Sequence, residues 1–86
     1  MVYVDALQEY PEKPFGHRKW AHLWADSEEE LHAFAQSIGL QRAWFQADKF
    51  LNHYDVVPSK WTLAWKQGAQ LTTILAWLEA KGEAHD

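Results

Sequence analysis

The stretch Trp20-Ala21-His22-Leu23-Trp24-Ala25-Asp26-Ser27-Glu28-Glu29-Glu30-Leu31-His32 changes its period once, and that change sets the fold. Up to Ala25 it alternates, with Trp20, His22 and Trp24 on one side and Ala21, Leu23 and Ala25 on the other, which is a strand with two apolar faces. Ser27 to Glu30 then has the Ser-x-x-Glu form of a capping box, and Leu31, Phe34, Ala35 and Ile38 fall at helical i, i+3, i+4, i+7 spacing. Gly39 is placed to end that helix.

Upstream, Val2-Tyr3-Val4 is a short β-favouring run, and Gln8 to Phe15, with Pro11 and Pro14, reads as a loop that Gly16 closes. Downstream, Ala43-Trp44-Phe45-Gln46 reads as a third strand. A second helix starts near Pro58-Ser59, burying Trp61, Ala64 and Trp65, and stops at Gly68. A short strand over Ala69 to Leu71 follows. The last helix begins near Thr72 or Thr73 and presents Leu71, Ile74, Leu75 and Leu78 as one stripe. The order β, β, α, β, α, β, α implies one α/β (or α+β) domain over residues 1–82, with a polar tail at 83–86. Its expected core is a three- to four-stranded, mostly parallel sheet packed by three helices.

Composition narrows the function. Eighty-six residues suffice for one domain with a small core, and six Trp offset the short length by burying much apolar area each. Surplus aromatics mark an interface, so Trp44, Trp61, Trp65 or Trp77 are expected to cover a partner or a second copy of the chain, making a homo-oligomer. With no cysteine there is no disulfide, thiolate ligand or cysteine nucleophile. The net charge of −4 argues against broad nucleic-acid binding, which needs Lys and Arg to neutralise phosphates. No apolar run approaches membrane-spanning length and the start lacks a signal peptide's pattern, so a cytoplasmic protein is expected.

The chemistry-bearing residues are Asp5, His22, His32, His53, Tyr54 and Asp55, with Asp26, Gln46 and Asp48 at predicted strand ends. Imidazoles and carboxylates bind metals, move protons and hold phosphates. In His53-Tyr54-Asp55 the outer two side chains share one side of an extended segment, as in a ligand pair or an acid/base pair. One expectation is a small phosphorylated or nucleotide-like ligand. His22, His32 and His53 would donate to its oxygens, the second helix start would supply N–H groups beside His53, and Tyr54 or a Trp would stack on a base; Lys60 and Arg18 are possible charge partners. A second is a metal-dependent hydrolase acting on a phosphoester, with His22, His32, His53 and Asp55 as ligands of a divalent cofactor. Ligand binding is favoured, because no activated Ser or Cys and no phosphate-cradling glycine loop is present.

Each residue also has a structural reading. His22 could be a core imidazole, His32 a boundary group, Asp55 a backbone cap and Tyr54 a packing residue, while Asp26 could only favour the helix start. Gly16-His17-Arg18-Lys19 could hold an anion but reads more simply as a loop.

Four pieces of the chain together resemble the domain-of-unknown-function family four-zero-three-one, a family of small bacterial and phage proteins. They are Tyr3-Val4-Asp5, the Trp-x-His-x-x-x-Asp run from Trp20 to Asp26, Glu30-Leu31-His32 with Phe34-Ala35 and Ile38-Gly39, and His53-Tyr54-Asp55-Val56 followed by Gly68-Ala69. The resemblance implies a family and no activity. Two departures stand out: Ala6 occupies a position where such relatives often carry a second Asp, and Lys49-Phe50-Leu51-Asn52 separates Asp48 from His53.

Overall fold

The computed structural model describes residues 1–9, 19–49 and 51–83. In chain order it contains β1 (Val2–Val4), β2 (Gln8–Glu9), β3 (Lys19–Ala25), α1 (Glu28–Ser37), a 3-10 turn (Arg42–Trp44), β4 (Tyr54–Val56), α2 (Pro58–Lys66), β5 (Gln70–Leu71) and α3 (Ile74–Glu83). The anion-loop reading of residues 16–18, Arg18 as a charge partner, and residues 84–86 of the tail lie outside the described residues.

The long strand β3 organises the sheet, as its alternation predicts. β1 pairs antiparallel with it (Val2 opposite Ala25, Val4 opposite Leu23), β4 pairs antiparallel (His22 opposite Asp55, Leu23 opposite Tyr54), and β2 pairs antiparallel (Gln8 opposite Trp20). Among the described residues, β5 on β1 is the one parallel pair. The mostly parallel sheet of three or four strands is thereby corrected to a mixed, five-stranded, mostly antiparallel α+β sheet.

The cause lies between α1 and β4. Ala43–Gln46 is not a third strand: Arg42–Trp44 winds as a 3-10 turn, and only Gln46 joins an antiparallel bridge, to His53. The chain leaves α1, advances to Gln46 and reverses before β4, so one more reversal than a simple helical crossover returns β4 antiparallel to β3. The Tyr54-Asp55-Val56 run, with its aromatic and β-branched residues, forms that strand and not a helix approach; Val57, with no side-chain cap, precedes Pro58 at the first turn of α2.

The two faces of β3 have different fates. Ala21, Leu23, Val2, Val4, Tyr54 and Val56 share the face covered by α1 and α2, and with Leu31, Ala35, Ile38, Leu40 and Ala64 they form the core. The Ser27 half of the predicted capping box forms, its hydroxyl accepting from the Glu30 N–H at 3.1 Å, while the Glu30 carboxylate accepts from the Met1 ammonium at 2.6 Å. Gly39 sits beyond α1 at φ +84°, where a Cβ would lie 2.8 Å from Lys60 Nζ. Lys60 is spent there: its ammonium donates to the Ile38 carbonyl at 2.9 Å and ties α2 to the end of α1.

On the other face, Trp24 is fully buried beneath Tyr3 and Trp77, with ring centroids 5.9 and 6.1 Å away. Trp77 therefore points inward on α3, and its indole donates to Asp26 at 3.1 Å. This overturns the predicted α3 stripe: Leu71, Leu75 and Leu78 are all exposed. Trp65 is likewise exposed rather than buried, whereas Ala64 fills the predicted place in the core. Burial opposes ionisation of Asp26, but donation from Trp77 and Tyr3 and the nearby Met1 ammonium outweigh it and hold its carboxyl below the ordinary range. Among the described residues, no helix is long and apolar enough to cross a membrane.

Candidate metal centre

A two-residue period puts Asp5, His22, His53 and Asp55 on the Trp24 face of the sheet, away from α1 and α2. Three residues of the first strand region, Asp5, Ala6 and Leu7, lie against Ala21 and His22 of β3, a bulge between β1 and β2. At this bulge the Asp5 carboxylate replaces a backbone partner. The His22 N–H donates to Asp5 Oδ1 at 2.6 Å, and His22 Nδ1 meets Asp5 Oδ2 at 2.7 Å. The Asp5 carbonyl instead accepts from the Trp61 indole at 2.9 Å, which fixes Asp5 from α2.

A carboxylate accepting here makes His22 Nδ1 the donor of this pair and Nε2 the nitrogen able to ligate. His53 is held the same way. Its Nδ1 donates to the Leu51 carbonyl at 2.9 Å, so Nε2 is the nitrogen able to ligate; it lies 3.3 Å from Asp55 Oδ1. Asp55 is steadied by Gln46, whose amide donates to Oδ2 at 2.6 Å. The two imidazoles stand edge to face with centroids 5.2 Å apart, and one donor atom from each of His22, His53 and Asp55 lies within 4.8 Å of the others. Ligands of tetrahedral zinc, each about 2.0–2.2 Å from the ion, are roughly 3.3 Å apart. The His53–Asp55 pair already has that spacing, and small side-chain rotations would bring His22 in.

With Nε2 facing a carboxylate and Nδ1 a carbonyl, His53 favours the doubly protonated state. The Asp55 contact chiefly raises its pKa, burial opposes this, and the Leu51 carbonyl and the field of Asp48 add to the rise. In chelator, therefore, the charged pair stabilises the fold fully below about pH 6.5, the unfolded value, and loses that contribution as pH climbs through the higher folded value. We predict that chemical denaturation at a series of pH values shows this decline in the metal-free protein and that it vanishes in His53→Gln. A slope that persists in the variant would assign it to another group.

His32 and Tyr54 are elsewhere. Both lie on the helix-covered side, the Tyr54 hydroxyl 2.9 Å from His32 Nδ1, and the Tyr54 ring is packed in the core. The six sequence candidates thus divide into Asp5, His22, His53 and Asp55 on one face and His32 with Tyr54 on the other. Asp55 pairs with His53 and does not cap α2. Nor is the α2 start beside His53, since three residues of extended chain separate His53 from Val57, four steps or about 13 Å. Of the Trp residues expected at an interface, Trp61 is bonded to Asp5 and Trp77 packs on the sheet, while Trp44 and Trp65 are exposed. Sequence reasoning placed Gln46 at a strand end without a role and gave the Leu51 carbonyl none. The Gln46–His53 bridge brings Gln46 to the centre, and the His53 Nδ1 bond brings the Leu51 carbonyl.

No curated protein and no solved structure matches the chain significantly. Residues 2–80 match the family described as protein of unknown function (DUF4031), spanning the whole sheet and most of α3, and the chain belongs to that family.

Proposed function

We propose that this protein is a divalent-metal protein, with His22 Nε2, His53 Nε2 and an Asp55 oxygen as ligands, and that the bound metal activates a water for hydrolysis of a phosphoester. The observation that supports this reading best is the matched orientation of the two histidines. Metal-ligating histidines typically donate the other ring N–H to a carboxylate or a backbone carbonyl, and here Asp5 serves His22 and the Leu51 carbonyl serves His53. Two imidazoles and one carboxylate leave open coordination positions, as hydrolytic zinc sites do. His22, the most exposed member with 27% of its side chain accessible, marks the open side.

Charge favours a cation over a bare phosphate at this face. Asp5 and Asp55 would repel an anion, whereas a divalent ion neutralises them and can then receive a phosphoryl oxygen. Held by His22, His53 and Asp55, a divalent ion would supply Lewis acidity to a phosphoryl oxygen and lower the pKa of a coordinated water toward neutrality, the chemistry that phosphoester hydrolysis needs.

The test is native mass spectrometry of the protein with one equivalent of zinc or manganese, paired with turnover of bis-(p-nitrophenyl) phosphate and p-nitrophenyl phosphate. One metal per chain and chelator-sensitive release of nitrophenol are expected. Metal uptake without turnover would reduce the proposal to binding alone, and no uptake would end it. Asp5 should act through His22: Asp5→Asn is expected to weaken zinc binding by about 10- to 100-fold in calorimetry, the usual cost of losing an outer carboxylate partner. An unchanged affinity would remove Asp5 from the centre.

A further inference from the structure

We propose that the opposite, helix-covered side of the sheet carries a second and separate site, which takes a small organic monocarboxylate. A cavity of about 510 Å³ opens there between α1, the 3-10 turn and β4, lined by His32, Ala33, Gln36, Leu40, Arg42 and Tyr54. That volume falls within the range of small-molecule sites.

Its floor is a fixed relay. The Tyr54 hydroxyl lies 2.9 Å from His32 Nδ1 and donates to it. His32 Nε2–H then donates to Glu28 Oε1 at 3.1 Å. The histidine is thus held in one tautomer, and Phe45 packs against it edge-on with centroids 4.6 Å apart. The same Phe45 carries Arg42: the guanidinium carbon lies 4.9 Å from its ring centroid, while the nearest carboxylate oxygen, on Glu28, is 3.8 Å away and beyond hydrogen-bonding distance. Among the described residues Arg42 is therefore placed by an aromatic face and a long ion pair with Glu28, without a hydrogen-bonded carboxylate. Arg42, with its planar fork of donors, lines the cavity together with Gln36.

A carboxylate matches that fork with two parallel hydrogen bonds, and Leu40 and Ala33 suit a small apolar body behind it. Glu28 selects among anions. Its charge offsets part of the field of Arg42, so a monoanion is accommodated where a phosphate dianion meets repulsion.

The test is a titration of the full chain, in chelator so that the metal centre takes no part, with benzoate and separately with inorganic phosphate. It is followed by NMR of the His32 ring and the Gln36 side-chain amide. Saturable shifts of both groups with benzoate are expected in the millimolar range, weakened at least about tenfold in Arg42→Met and in Arg42→Lys, which keeps the charge but loses the fork. Arg42 is exposed, so both variants should fold as the parent does. Three results would each overturn the assignment: no saturable shift, equal binding by Arg42→Met, or tighter binding of phosphate than of benzoate.

Discussion

His53→Ala is expected to lower zinc affinity by more than about 100-fold, because it removes a ligand outright and outer-sphere losses alone reach that figure. It also removes the donor to the Leu51 carbonyl and the His53 contact of Asp55, which keeps the Gln46 amide, a stability loss of about 1–3 kcal/mol. The sheet should survive, since the core beneath β4 is built by Tyr54 and Val56 on the opposite face. Calorimetric titration with zinc, alongside far-UV circular dichroism, separates the two effects. His32→Ala is the matched control: His32 was an equal candidate in the sequence, but the sheet stands between it and His53, so its loss should leave zinc affinity unchanged. Similar losses in the two variants would contradict the division of the site between faces.

The largest stability effect is expected at Trp24. It is the bulkiest fully buried side chain, and Trp24→Ala should cost about 3–5 kcal/mol. A chain of this size has a total stability on the order of 4–13 kcal/mol, so the variant would be close to unfolding, with a fall in Tm on the order of 20 °C. Trp24→Phe should cost far less than that. The Trp24 indole N–H is buried with no hydrogen-bond partner among the described residues, so phenylalanine gives up volume and no hydrogen bond there. Trp65→Ala, at an exposed position, should change stability by no more than about 0.5 kcal/mol. Thermal denaturation of the three variants in chelator decides the order; a Phe variant as damaged as the Ala variant would mean that the indole N–H has a partner.

Much of this was legible where local chemistry decides structure. The alternation of Trp20 to Ala25, the Ser27-to-Glu30 capping box, Pro58 at the start of α2 and the glycines after α1 and α2 each fix an element with little help from the rest of the chain. Sheet direction was not legible, because it depends on how often the backbone reverses between Ile38 and Tyr54. There a three-residue 3-10 turn and one isolated bridge carry almost no periodic signal. The pairing of His53 with Asp55 followed from their two-residue spacing. The exclusion of His32 did not, since a helix that crosses one face of a sheet and a strand that presents both faces can offer the same residue types. Asp5 meets His22 only through a bulge whose signature in the sequence is a single unmatched residue.

The central claim is that His22 and His53 present Nε2 to one metal ion while Nδ1 stays protonated on Asp5 and on the Leu51 carbonyl. Long-range proton–nitrogen NMR of the imidazole rings, recorded before and after one equivalent of zinc, reads both nitrogens of both histidines directly. The predicted result is metal-bound Nε2 and protonated Nδ1 in His22 and His53, with no change at His32. Unaltered His22 and His53 spectra, or zinc carried on either Nδ1, would contradict it.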